Sequence, residues 1–105
     1  MTDQIKVTDI PLLNYYEVKK AALILRAVNH EYRQQMLKII ETEGSITVTD
    51  LYVKLHEEQS VVSQHLRILR EAGIVKAVRN GKYIHYEVNR PRIDSIQTCI
   101  GNLLA

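Results

Sequence analysis

The sequence predicts a mainly α-helical chain with one small β-hairpin, and three observations predict it. Apolar residues recur at helical spacing through most of the 105 positions. One stretch, "IVKAVRNGKYIHYEV", instead flanks Asn80-Gly81 with apolar residues, and Asn-Gly is the strongest two-residue hairpin signal. Just before it, "SVVSQHLRILREAG" sets Val62, Leu66 and Leu69 at helical spacing among small, amide-bearing and cationic residues. A solvated helix face usually carries a Glu/Lys mixture instead.

Residues 1–11 are mixed, end at Pro11, and read as an N-terminal arm; residues 12–105 read as the folded domain. A first helix is expected from Leu12 to Val28, and its "AALILRAV" is apolar nearly all round. Such a helix needs cover on more than one side, and in so small a chain the second cover is another copy. Asn29 is a good N-cap, so a second helix runs from His30 to Glu43, with Met36, Leu37, Ile39 and Ile40 inward and Gly44 as the stop. Ser45-Ile46 reads as a short extended piece. Thr47 caps a third helix with Asp50 three residues on, and Val48, Leu51, Tyr52 and Leu55 form its stripe. "HEEQ" breaks the pattern, and Ser60 to Gly73 forms the fourth helix. The hairpin follows, with an expected type I′ turn at Asn80-Gly81. Asn89-Arg90-Pro91 starts a last helix with Ile93, Ile96, Ile100, Leu103 and Leu104 along one side. Two short tandem helices followed by a two-stranded wing make a winged helix-turn-helix, and the all-round apolar first helix predicts a dimer.

Composition suits one globular domain, at 46% hydrophobic and 25% charged. The longest apolar run, Ala21 to Leu25, is too short to cross a bilayer, so no membrane is expected. No charged n-region with an apolar h-region opens the chain, and a single cysteine, Cys99, fits a reducing compartment; the expected location is the cytoplasm. Net charge is only +2, but it is segregated. Ser60 to Arg92 holds seven basic residues against Glu71 and Glu87, a local net of +5 that leaves −3 elsewhere. A cationic face of this kind is the footprint expected for a polyanion partner.

On a helical wheel, Val61, Val62, His65, Leu66, Ile68, Leu69 and Ala72 share one side of the fourth helix. Ser60, Ser63, Gln64, Arg67 and Glu71 share the other. Short hydroxyls permit close approach, an amide can pair with adenine, and a guanidinium suits guanine or phosphate. Ser63, Gln64 and Arg67 supply these three chemistries, and the helix N-terminus favours a phosphate at Ser60. Arg79 and Lys82 at the hairpin tip would reach flanking phosphates or the minor groove. The expected DNA-binding set is therefore Ser60, Ser63, Gln64, Arg67, Arg79 and Lys82. His65 reads instead as a structural histidine facing the core or the preceding helix.

The stretch from Val61 to Val88 resembles the ArsR/SmtB family of bacterial winged-helix repressors. Their recognition helix carries Ser-x-His-Leu-x-x-Leu-x-x-Ala-Gly, matched by Ser63, His65, Leu66, Leu69, Ala72 and Gly73. Their wing carries Arg-x-Gly-Lys/Arg before a Tyr-rich strand, matched by Arg79, Gly81, Lys82, Tyr83 and Tyr86. The likeness extends over about residues 12–104. It implies a homodimer joined through the first and last helices, which makes Leu23, Ile24, Ile96, Ile100 and Leu104 the expected dimer-interface residues. It also implies double-stranded DNA as partner, bound at an inverted-repeat operator, with repression released by a small inducer.

The family's usual metal chemistry is missing. Thr47-Val48-Thr49 stands where metal-sensing relatives carry Cys-Val-Cys, and hydroxyls are poor ligands for soft metals. Asp94-Ser95-Ile96 keeps only the aspartate of the Asp-x-His zinc pair, and Cys99 has no second cysteine. No metal and no cofactor are expected, and the effector is not identified by these residues. The alternative reading is a winged-helix protein-interaction module without DNA binding. An enzyme is the weakest reading, since Ser63 and His65 point in different directions on one helix and no phosphate loop stands out.

Overall fold

A computed structural model describes residues 12–105. The elements run α1 (Tyr15–Val28), α2 (Glu31–Glu43), β1 (Ile46–Thr47), α3 (Val48–Leu55), α4 (Gln59–Glu71), β2 (Val75–Asn80), β3 (Tyr83–Val88) and α5 (Arg90–Leu104). The predicted order holds throughout; the expected arm at 1–11 lies outside the described residues.

Helix boundaries follow local capping. Leu12 and Leu13 are not helical: the Asn14 side chain accepts from Glu17 N at 3.1 Å and starts α1 at Tyr15. Asn29 closes α1 rather than opening α2, donating its N–H to Leu25 O at 2.9 Å. The α2 cap is His30, whose Nδ1 accepts from Arg33 N at 3.3 Å. Thr47 caps α3 as expected, its hydroxyl accepting from Asp50 N at 3.2 Å. At the end of α4, Gly73 N–H bonds Arg70 O and Ile74 N–H bonds Leu69 O, both at 2.9 Å, a Schellman closure with Gly73 at φ 71°.

β1 is more than an extended connector. It pairs antiparallel with β3 (Ile46 opposite Tyr86), giving a three-stranded sheet in the order β1-β3-β2. The hairpin turn falls one residue later than expected: Asn80 pairs with Tyr83, leaving Gly81-Lys82 as the loop. A type I′ turn needs positive φ at both central residues, yet only Gly81 (φ 66°) has it. Glycine first and an ordinary residue second is the II′ pattern.

One core joins the elements. Met36 and Ile40 from α2, Leu51 from α3, Val62 and Leu69 from α4, and Ile74 are fully buried, with Val75 and Leu66 close behind. The terminal helices contribute little, Ala27 from α1 and Ile96 from α5. Leu23 (53% exposed), Leu103 (69%) and Leu104 (81%) remain in water, the uncovered apolar surface the sequence anticipated on these two helices. Ile96 departs from its expected place at a dimer interface. It is 9% exposed within its own subunit's core, and Ile24 is half-buried against that core.

Gly73 also ties α5 to α4. Asn89 is the N-cap residue of α5, but its side chain does not cap the helix; its Nδ2 donates to Gly73 O at 2.8 Å, and a Cβ at Gly73 would lie 3.3 Å from the Arg92 guanidinium. Gly44, at φ 78°, has open space around it. Left-handed backbone costs an alanine about 1–2 kcal/mol. Gly73→Ala should therefore destabilise by more than that amount, because the Arg92 guanidinium must also move. A double-mutant cycle with Arg92→Ala, read in urea midpoints, decides it; an equal cost of Gly73→Ala with and without Arg92 would contradict the packing argument.

Candidate nucleic-acid interface

Helix α4 is held by its apolar side. Val62, Leu66 and Leu69 are at most 2% exposed, and these three contacts set the rotation of the helix about its axis. Ser60, Ser63, Gln64, Arg67, Arg70 and Glu71 are consequently all exposed. The structure thus brings four of the expected DNA-binding residues onto one open face, Ser60, Ser63, Gln64 and Arg67.

Arg67 lies 4.0 Å from Glu71, with both side chains 72% exposed. An exposed i,i+4 pair contributes only about 0.3–0.5 kcal/mol, so Arg67 is easily redirected to a stronger anion. Ser60 is the second residue of α4, one later than a start at Ser60 would place it, and no side chain caps the helix. Its first-turn N–H groups suit a phosphate, but Glu57 and Glu58 sit at the same end and oppose one.

Arg79 and Lys82 form a second group at the far end of the hairpin, both exposed. Arg79 has no carboxylate within ion-pair distance among the described residues, while Lys76, nearer the core, meets Glu87 at 3.9 Å. Lys82 occupies the turn itself, its Nζ 5.5 Å from the centre of the Tyr83 ring. Cationic charge is therefore least compensated at the tip, where the strands project furthest.

His65 points inward as expected, and it meets a residue the sequence reading missed. Arg33, 7% exposed, donates from Nε to Ala27 O at 2.6 Å and from Nη2 to Arg26 O at 3.2 Å. Its Nη1 lies 3.4 Å from His65 Nδ1. The His30 and Tyr32 rings flank His65 with centroids at 5.0 and 5.1 Å. The missed signal was the helical wheel: Arg33 shares the inner stripe of α2 with Met36 and Ile40. Burial holds the His65 imidazole below its ordinary pKa, with His30 and the Arg33 charge adding to the effect and Glu57 opposing it.

Among the described residues, no three His, Cys, Asp or Glu side chains gather into a group that could hold a metal. None of the described helices is long and apolar enough to cross a membrane.

Comparison with known proteins agrees with this geometry. The family model for "Bacterial regulatory protein, arsR family" matches residues 30–77, from the α2 cap into β2. The uncharacterized HTH-type transcriptional regulator MJ1325 of Methanocaldococcus jannaschii is 34% identical over 85 residues, covering 81% of this chain and 96% of that one. The chain belongs to the arsR family. It is a DNA-binding transcriptional regulator with a winged helix-turn-helix fold. The transcriptional repressor PagR of Bacillus anthracis is 29% identical over 80% of this chain and 84% of its own. The crystal structure of PagR superposes with a TM-score of 0.68 at 28% identity, covering 83% of this chain and 99% of PagR. The arsenical resistance operon repressor of Escherichia coli is 29% identical, but the match spans only 56% of its length.

The depressed His65 pKa has a direct consequence for stability. An unfolded histidine takes up a proton near pH 6.5, whereas the folded His65 does so only at lower pH. The unfolded state therefore binds more protons in that window, and folding stability drains as pH falls below 6.5. Denaturant midpoints from neutral pH downward should show this loss, and His65→Leu should flatten the slope. An unchanged slope in the variant would assign the acid loss elsewhere.

Proposed function

We propose that the regulator is a homodimeric repressor that reads an inverted-repeat operator with α4 and clamps the flanking backbone with its wing. The observation that carries this reading is the split surface of α4, buried on its apolar side and open along Ser63, Gln64 and Arg67. Gln64 and Arg67 contact base edges, Ser60 and Ser63 allow close approach, and Arg79 and Lys82 neutralise phosphate. The relatives' names support repression: PagR is a transcriptional repressor, and so is the E. coli arsenical operon protein.

Dimerisation supplies the cover that α1 and α5 lack, through Leu23, Ile100 and Leu104, with Ile24 contributing its open part and Ile96 remaining inside the subunit. Each large apolar side chain withdrawn from water contributes about 1.5–3 kcal/mol, which offsets the cost of association. Sedimentation at micromolar concentration should show twice the 12.1 kDa chain mass; a species of 12.1 kDa alone would remove the dimer.

Soft-metal sensing is not supported at Thr47-Val48-Thr49 or Asp94-Ser95-Ile96, because neither set offers a thiolate or imidazole. Repression by this chain works without a metal at either place, in the cytoplasm.

Base reading and phosphate clamping separate in a binding experiment. Lys82→Ala should weaken operator and scrambled DNA alike and lower the salt slope by about one unit. Gln64→Ala should instead cost about 1–3 kcal/mol of discrimination at one or two base pairs per half-site and spare scrambled DNA. Equilibrium titrations at several salt concentrations, with and without zinc or arsenite, provide the test. Equal loss on both DNAs for Gln64→Ala would refute base reading by that residue, and a metal-dependent loss of binding would reveal a site elsewhere. Binding of neither DNA would leave the fold as a protein-interaction module.

A further inference from the structure

Arg33 is a buried cation without a carboxylate. Among the described residues none lies within ion-pair distance of it, and its guanidinium is shared among three acceptors instead. Two of these, Arg26 O and Ala27 O, belong to the last turn of α1, where carbonyls lack helical partners and the helix dipole favours positive charge. The third, His65 Nδ1, belongs to α4. A guanidinium is planar and presents its donors in fixed directions, so one rigid group on α2 spans α1 and α4 together. A lysine, with one rotatable ammonium, could not hold all three.

We propose that Arg33 is a positioning residue that, acting through His65, fixes the recognition helix against α1 and so sets the half-site spacing the regulator accepts. This rests on the reading of the protein as a dimer reading DNA through α4. In that dimer α1 lies at the subunit boundary, so the placement of α4 against α1 determines how far apart the two recognition helices stand. Operator half-sites lie about one helical turn apart, and a displaced recognition helix changes the distance that fits.

His65 can accept from Arg33 only while Nδ1 carries no proton. Once protonated, His65 confronts the Arg33 guanidinium and His30 on the α2 side, with Tyr32 neutral there and only Glu57, from the α3–α4 turn, compensating. The link between α1 and α4 is therefore made at neutral pH and broken in acid.

The experiment begins with operators selected from random DNA by the unaltered protein. Their half-sites are then moved together or apart one base pair at a time, and affinity is measured at each spacing. The unaltered dimer should peak at one spacing. Arg33→Met and His65→Leu should lose about tenfold at that peak, the scale of one charged hydrogen bond, and little at other spacings. Affinity for scrambled DNA and the sedimenting mass should not change. His65→Leu leaves both α1 carbonyl bonds in place and decides the matter if Arg33→Met does not fold. His65→Gln offers an acceptor oxygen that does not titrate, and should keep the spacing peak as pH is lowered below 6.5, over the range where the unaltered protein loses it. A sharp, unshifted peak in the folded variants, or equal loss on every DNA, would overturn the inference alone. If the unaltered protein selects no sequence at all, the functional reading falls and takes this inference with it.

Discussion

Burial of one side of α4 is the constraint on which the rest of this structure depends. Val62, Leu66 and Leu69 belong to the core that the described residues build with α2, α3 and the base of the sheet. A 13-residue helix pinned at three successive turns has no freedom to roll. Its polar side is then aimed by apolar packing, although none of its own residues takes part in that packing. The outward aim of Gln64 and Arg67 is thus a consequence of where leucine and valine go.

The wing depends on the same core. The Schellman closure at Gly73 turns the chain out of α4, Ile74 and Val75 anchor the start of β2, and pairing of β1 with β3 holds the sheet to the helical body. Beyond Val75 the β2 residues are all exposed, so the hairpin leaves the body quickly. Placing glycine first in the turn puts Lys82 second, at the tip, where its charge is remote from every carboxylate that pairs elsewhere on the sheet. Uncompensated charge of this kind raises encounter rates with a polyanion.

The terminal helices have a different balance. Each gives the core a single buried residue and leaves large apolar side chains in water, so their packing is incomplete within one subunit. The end of α1 is nevertheless tied to the body by a polar device, the Arg33 guanidinium on its last carbonyls. A buried guanidinium is costly unless each donor is matched, and a matched one holds its neighbours in fixed orientation. Apolar packing and this polar contact together place α1 against α4.

By itself the sequence determined the order of the elements, because period 3.6, period 2, glycine stops and the Thr47 cap are local signals written within a few residues. It also determined which residues face outward on α4, since a three-residue apolar stripe leaves one possible polar face. Helix edges and the turn moved by one to three residues for reasons that depend on competing local bonds: Asn14 and His30 won as caps, and strand register gave the loop to Gly81-Lys82. Tertiary structure alone decided the pairing of β1 with β3, the withdrawal of Ile96 into the core, and the bonds of Arg33. All three depend on how separate elements pack, and the link from Arg33 to His65 spans 32 positions. Ile96 and its neighbours on α5 look alike in a helical pattern, and only the position of the other helices selects which of them is covered. The helical wheel puts Arg33 on the inner stripe of α2, but its partners are fixed only once α1 folds back and puts two unpaired carbonyls within its reach.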